Sequence, residues 1–174
     1  MTLLLVAIAT PATATSDVPI EGTVMGEHGP PDFEDEDCLA AGYAWRFPSA
    51  GVGQMSHLGR VEYELTQCTV PGPEGFVSVG TVTFIAANDD ELWIEHTMFS
   101  QLIGEFPVAE GFTFEGEWTA VGGTGRFAHA TGAGTLHGFG DIPGGEALFG
   151  LPDGLAQFNF SGRIAYDASD RSGV

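Results

Sequence analysis

The chain has 174 residues, enough for one domain with its own core and no structural metal or disulfide lattice. Five arginines, no lysine and 24 acidic residues leave a formal net charge of −19. Such a surface repels nucleic acid and anionic lipid, so neither is an expected partner, and it suits solubility outside a cell or in high salt.

Leu3 to Ala9 is a short apolar run, followed by Pro11 to Ala14 with the small-residue spacing of a secretory cleavage site. The run is too short to span a bilayer. We therefore expect a leader over residues 1–16, a single domain over 17–174 and a secreted, extracellular or periplasmic location. No Lys or Arg precedes the run. The leader reading thus places the true start upstream of Met1; the alternative is that the run is not a leader.

Pro19 to Met25 alternates enough to be a first strand, and Gly26 to Asp37 is a polar connection holding Asp32, Glu34, Asp35, Glu36 and Asp37. From His57 onward Val61, Tyr63 and Leu65 alternate with Arg60, Glu62 and Glu64, the two-residue period of a half-buried strand. Phe76 to Ala86 is apolar on both faces and rich in Val, Thr and Phe, which predicts a strand covered on both sides. Asn88, Asp89 and Asp90 supply a turn, and Leu92, Ile94, His96 and Met98 continue as the return strand of a hairpin.

Phe112, Phe114 and Trp118 then face one way and Thr113, Glu115, Glu117 and Thr119 the other. Gly122 to Gly134, GGTGRFAHATGAG, reads as a tight turn followed by a strand with kinks at its glycines, and Thr131 to Gly138 as a strand of small residues. Between Phe139 and Leu155 a long loop is expected, with Ile142, Leu148, Phe149 and Leu151 on its apolar underside. The last strand puts Ala156, Phe158, Phe160, Ile164 and Tyr166 on one face. No segment has a sustained 3.6-residue period with capping signals, so helices are at most short. Seven or eight one-sided strands with aromatic inner faces predict an all-β fold, a closed antiparallel barrel of about eight strands, with a sandwich as the alternative. Glycine-dense strands favour the barrel, because a strongly coiled sheet needs positions without Cβ.

Cys38 and Cys68 are an even pair without a CxxC neighbour, for which one structural disulfide in an oxidising compartment is the simplest use.

Three strings occur in order: SHLGR from Ser56 to Arg60 at a strand opening, AANDDEL from Ala86 to Leu92 at a hairpin, and GGTGRF from Gly122 to Phe127 before the glycine-rich strand. Together they resemble a group of secreted bacterial proteins whose barrel looks like that of allene oxide cyclases and dirigent proteins. The likeness covers Ser56 to Tyr166, and Gly122 to Gly134 carries most of it. It implies an eight-stranded, calycin-like barrel with an apolar cavity, often in a dimer or trimer, and no cofactor. Catalytic residues of those enzymes do not align one by one with this chain, and function on a shared fold has to come from a site.

Other chemistry is poorly supported. The histidines His28, His57, His96, His129 and His137 include no HxxxH pair, and a surface or hydrogen-bonded role is expected for each; the alternative is that His96 and His137, in predicted strands, meet across a barrel. Asp32 to Asp37 lacks the order of an EF-hand loop, so a solvated loop is the default and weak calcium binding there the alternative. The glycine turn lacks the Lys-Ser/Thr pair and helix of a phosphate loop. Glu62 with Glu64, and Glu115 with Glu117, alternate with apolar residues and so point to water. Arg126 is expected to cap carbonyls or pair with a carboxylate at the barrel end, or to greet an anionic ligand at the mouth.

The leading expectation is a small apolar or amphipathic ligand bound inside the barrel. The candidate cavity residues are Tyr63, Leu65, Phe84, Phe112, Phe114, Trp118, Phe158, Phe160 and Tyr166, with Arg126 at the mouth and Phe149 and Leu151 as a lid. The competing readings are a cofactor-free cyclase or isomerase of the allene oxide cyclase or dirigent type, in which the cavity preorganises one conformer, and a filled barrel serving as a structural or oligomeric surface module.

Overall fold

A strand whose polarity alternates must turn its apolar face away from water, and eight such strands solve the problem here by curling around one another. The computed structural model describes residues 15–72, 74–105, 108–142 and 154–167. In chain order the strands are β1 (Thr15–His28), β2 (Trp45–Met55), β3 (Gly59–Pro71), β4 (Phe76–Ala86), β5 (Glu91–Glu105), β6 (Val108–Gly123), β7 (Thr131–Asp141) and β8 (Gly154–Asp167). Each pairs antiparallel with its sequence neighbour, and β8 returns to pair with β1 along its whole length. No described strand is left with an open edge, which removes the usual template for edge-to-edge aggregation.

The alternation holds almost residue by residue. Val61, Tyr63 and Leu65 are buried on β3, Leu92, Ile94, His96 and Met98 on β5, and Phe158, Phe160, Ile164 and Tyr166 on β8. Outward positions carry Glu62, Glu64, Glu95, Glu115 and Glu117, all exposed. A charged outside around an aromatic inside is the reverse of the polarity of a barrel embedded in lipid. Among the described residues no helix is long and apolar enough to cross a membrane.

Six inward positions of β6 and β7 explain the glycines. Phe112 lies opposite Gly140, Phe114 opposite Gly138 and Trp118 opposite Gly134. A Cβ on Gly138 or Gly140 would strike the ring of Phe114 or Phe112, and one on Gly134 would reach within 2.7 Å of the Trp118 indole and fall on the carbonyl oxygen of Ser161. The glycines therefore both let neighbouring backbones close in and leave the space that the β6 rings fill. Trp118 Nε1 donates to the carbonyl oxygens of Thr135 at 3.1 Å and Ser161 at 3.3 Å, so its one polar atom is satisfied inside.

Before β7 the chain makes a single 3₁₀ turn, Gly125–Phe127, and drops Phe127 fully buried into the barrel end, 5.0 Å from the Tyr166 ring. Gly125 has φ of 52°, a left-handed conformation that favours glycine. This end is sealed: Leu58, Phe127, Ala130 and Tyr166 are all buried in the main core.

Several boundaries differ from the sequence-based expectation. β1 runs on to His28, and the polar connection that follows includes one short helix, α1 (Glu36–Ala40), capped by Asp35, whose carboxylate accepts from the Cys38 N–H at 2.8 Å. β2 is a whole strand that alternation did not announce, because its inward positions after Phe47 are Ser49, Gly51 and Gly53. β7 extends through Asp141, so Phe139 belongs to a strand and is exposed. The remainder of the predicted 139–155 loop, from 143 to 153, lies outside the described residues, as do residues 1–14 of the leader expected over 1–16, whereas Thr15 and Ser16 belong to β1.

Cys38 and Cys68 are joined in a disulfide, with 5.3 Å between their Cα atoms. It fastens α1 to the outer face of β3. Arg46 strengthens the same attachment, its Nε 2.8 Å from Asp35 and its Nη2 3.7 Å from Asp37, while Asp32 and Arg46 form a backbone bridge. The acidic run is thus engaged in holding its own segment down, and among the described residues no three His, Cys, Asp or Glu converge to hold a metal ion.

Candidate functional site at the open end of the barrel

The end opposite the Phe127 plug is not filled by the described residues. Here β2 begins, β3 ends, β4 begins and β5 approaches its turn, and the inward positions change from bulky and apolar to short and polar while keeping their phase. On β3 the series Val61, Tyr63, Leu65 continues as Gln67 and Thr69; on β5 Met98 is followed by Ser100; on β4 Ser78 precedes Val82. All four polar residues are buried, Gln67 at 6% and Ser78 at 2% exposure.

These four form the floor of a hollow of about 50 Å³. Its wall is apolar and mostly aromatic: Trp45, Phe47, Phe76, Leu102, Phe112 and Ile142. The rings brace one another, Trp45 against Phe76 at 5.7 Å and Phe47 against Phe112 at 6.4 Å, both edge to face. Phe33, from the connection held by the disulfide, packs 5.5 Å from Trp45 on the rim. Thr69 and Ser78 share a 2.8 Å hydrogen bond, whereas Gln67 Oε1 is shut away from solvent with no partner among the described residues. An unpaired buried acceptor costs about 1 to 3 kcal/mol, and native structures keep such groups for a reason.

Two buried histidines stand behind this hollow. His28 donates from Nε2 to the carbonyl oxygen of Asp141 at 3.0 Å and packs against two wall rings, stacked on Phe47 at 5.2 Å and edge-on to Phe112 at 5.6 Å. His96 faces inward from β5, in register with Gly80 on one side and Trp118 on the other, and neither of its ring nitrogens has a partner among the described residues. Burial pushes its pKa down from 6.5 to about 4. The imidazole is therefore neutral at pH 7. The unfolded chain takes up a proton near 6.5 and the folded chain only near 4, so stability present above pH 6.5 is lost as the pH falls toward 4, at most about 1.4 kcal/mol per pH unit. Unfolding titrations of the protein and of His96→Phe across pH 8 to 4 should diverge over that interval, with the variant the less acid-sensitive; parallel curves would show that His96 does not titrate this way. The 24 acidic residues, common to both proteins, cancel in the difference.

The residues expected to line a cavity are placed as follows. Tyr63, Leu65, Phe84, Phe114, Trp118, Phe158, Phe160 and Tyr166 all face inward and pack into the core, and Phe112 is the one among the nine that reaches the hollow. The core rings are in contact, Phe84 with Phe160 at 5.1 Å and Phe114 with Phe158 at 4.6 Å. The Tyr63 hydroxyl is 2.9 Å from Ser49 Oγ, which also donates to the Glu27 carbonyl; burial raises the phenol pKa and the Ser49 hydrogen bond opposes the rise. Arg126 sits at the sealed end, donating to the His57 carbonyl oxygen at 2.6 Å, 3.4 Å from Asp90 and over the Phe127 ring. Phe149 and Leu151 lie outside the described residues.

The alternative pairing of two histidines is ruled out. His96 and His137 do not meet across the barrel, because inward residues of β7 are even-numbered and His137 is exposed on the outer face. Alternation alone overlooked the floor, since Gln67, Thr69, Ser78 and Ser100 look like ordinary polar strand ends. Their phase with the buried stripe was the available signal.

Comparison with known proteins adds no relative: no family model, no curated protein and no solved structure matches the chain.

Proposed function

We propose that this protein is a calycin-like barrel, of the kind seen in allene oxide cyclases and dirigent proteins, that works outside the cytoplasm and binds a small apolar or amphipathic molecule at its open end without a cofactor. The observation that carries this reading is the hollow itself. Aromatic rings surround buried hydroxyls and an amide oxygen with no partner among the described residues, which is how small-molecule sites combine an apolar wall with a few orienting polar groups. The disulfide supports an oxidising compartment. Holding a molecule is favoured over cyclase chemistry because no titratable side chain lines the hollow among the described residues, and His28 packs against the wall rings Phe47 and Phe112 without lining it.

Toluene, a compact apolar probe, should shift the NMR signals of the Trp45 indole and of the Leu102 and Ile142 methyls on titration, and native mass spectra of gently purified material should contain a bound small mass. Ser78→Phe, which fills the hollow from its floor, should weaken toluene binding about tenfold or more. A protein that shows only its own mass, and whose wall signals move with neither toluene nor benzyl alcohol, would overturn the reading.

A further inference from the structure

The floor of the hollow also limits what can bind there, and this inference rests on the ligand-binding reading above. None of the described lining residues is charged. Arg46, whose backbone lies between the wall residues Trp45 and Phe47, turns outward and holds Asp35 and Asp37. An anionic head group would therefore lose its water without gaining a counter-ion, inside a protein of net charge −19. A purely apolar ligand would leave Gln67 Oε1 buried and unpaired. A group that both donates and accepts meets the floor better, giving its proton to Gln67 Oε1 and accepting from a hydroxyl of Ser100 or of the Thr69 and Ser78 pair. The wall fixes the other half of the ligand. Four aromatic rings within a small hollow suit a compact ring, and about 50 Å³ takes the head group with part of such a ring, not a long alkyl chain.

We propose that the open end selects compact aromatic molecules with a neutral hydroxyl or primary amide head, held by Gln67 and the floor hydroxyls, and rejects their carboxylate counterparts. Three probes of nearly equal shape test this: toluene, benzyl alcohol and benzoate, titrated at pH 7 into the full chain and followed by NMR shifts of the Trp45 indole and the Leu102 and Ile142 methyls. Benzyl alcohol should bind about three- to tenfold more tightly than toluene, the ratio that one net hydrogen bond provides. Benzoate should bind at least about tenfold more weakly than benzyl alcohol. In Gln67→Leu, toluene binding should persist, which shows that the site is intact, while the advantage of benzyl alcohol disappears.

Equal affinity for toluene and benzyl alcohol, benzoate binding as tight as that of the alcohol, or an undiminished alcohol preference in Gln67→Leu would each overturn the head-group assignment and leave the ligand-binding reading standing. Failure of all three probes to shift the Trp45, Leu102 and Ile142 signals would overturn both.

Discussion

Gly134→Val is expected to destabilise the barrel by about 4 kcal/mol, a fall of roughly 10 to 15 °C in melting temperature for a domain of this size. Two causes add. The new Cβ falls on the Ser161 carbonyl oxygen of β8 and comes within 2.7 Å of the Trp118 indole, so either the strands part or the ring leaves. If the ring leaves, its Nε1 gives up both of its carbonyl partners and a large apolar group loses its seat. Ala133→Val is the matched control: it adds similar bulk one residue earlier, on the exposed face, and should change stability by no more than about 0.5 kcal/mol. Chemical denaturation of the two variants decides the matter. A Gly134→Val protein as stable as the parent would show that the close approach is not what this position needs.

Reducing the Cys38–Cys68 disulfide is expected to cost about 3 to 4 kcal/mol, from the entropy of the loop opened between cysteines 30 residues apart. The effect should reach the site as well as the global stability. The bond pins α1, and the segment ahead of α1 carries Phe33 onto Trp45 at the rim of the hollow. Arg46 and its two carboxylate partners remain after reduction, but Asp37 is almost fully exposed and that half of the attachment is worth little in salt. Urea unfolding with and without reductant should therefore show a lower midpoint on reduction, absent in the Cys38→Ala/Cys68→Ala double variant. Toluene binding at the hollow should weaken in parallel. An unchanged midpoint would mean that the open chain retains the loop by other contacts.

How far the sequence goes toward this picture depends on what a strand buries. β3, β5, β6 and β8 alternate large apolar residues with mostly polar or charged ones, and a period of two is enough to find them and to say which face is inside. β2 hides because its inner positions include Ser49, Gly51 and Gly53, which burial leaves without an apolar signature. The closed eight-stranded form is likewise legible in the glycine density. The location of the hollow is harder. Nine aromatic and aliphatic residues chosen for their inward phase are indeed interior, yet eight of them fill the space that a cavity would need. Side-chain volume summed across strands decides where a barrel is full and where it is hollow, and that sum requires the register between strands, which a single sequence does not print. Polar residues continuing an apolar stripe in phase, as Gln67 and Thr69 continue Val61, Tyr63 and Leu65, are the exception. They mark a strand end that stays inside.

The pairing of β6 with β7 carries one more implication. Reading across the inward positions, Phe112 faces Gly140, Phe114 faces Gly138, Gly116 faces Leu136, Trp118 faces Gly134 and Ala120 faces Gly132. Each rung thus holds at most one large group, contributed by β6 except where Gly116 yields to Leu136. A slip of two residues, which keeps every face the right way round and is the commonest hazard for a strand of small residues, would drive Leu136 into either Phe114 or Trp118. The pattern of sizes acts as a lock against these neighbouring alignments, so a strand with almost nothing of its own to bury is still held in register.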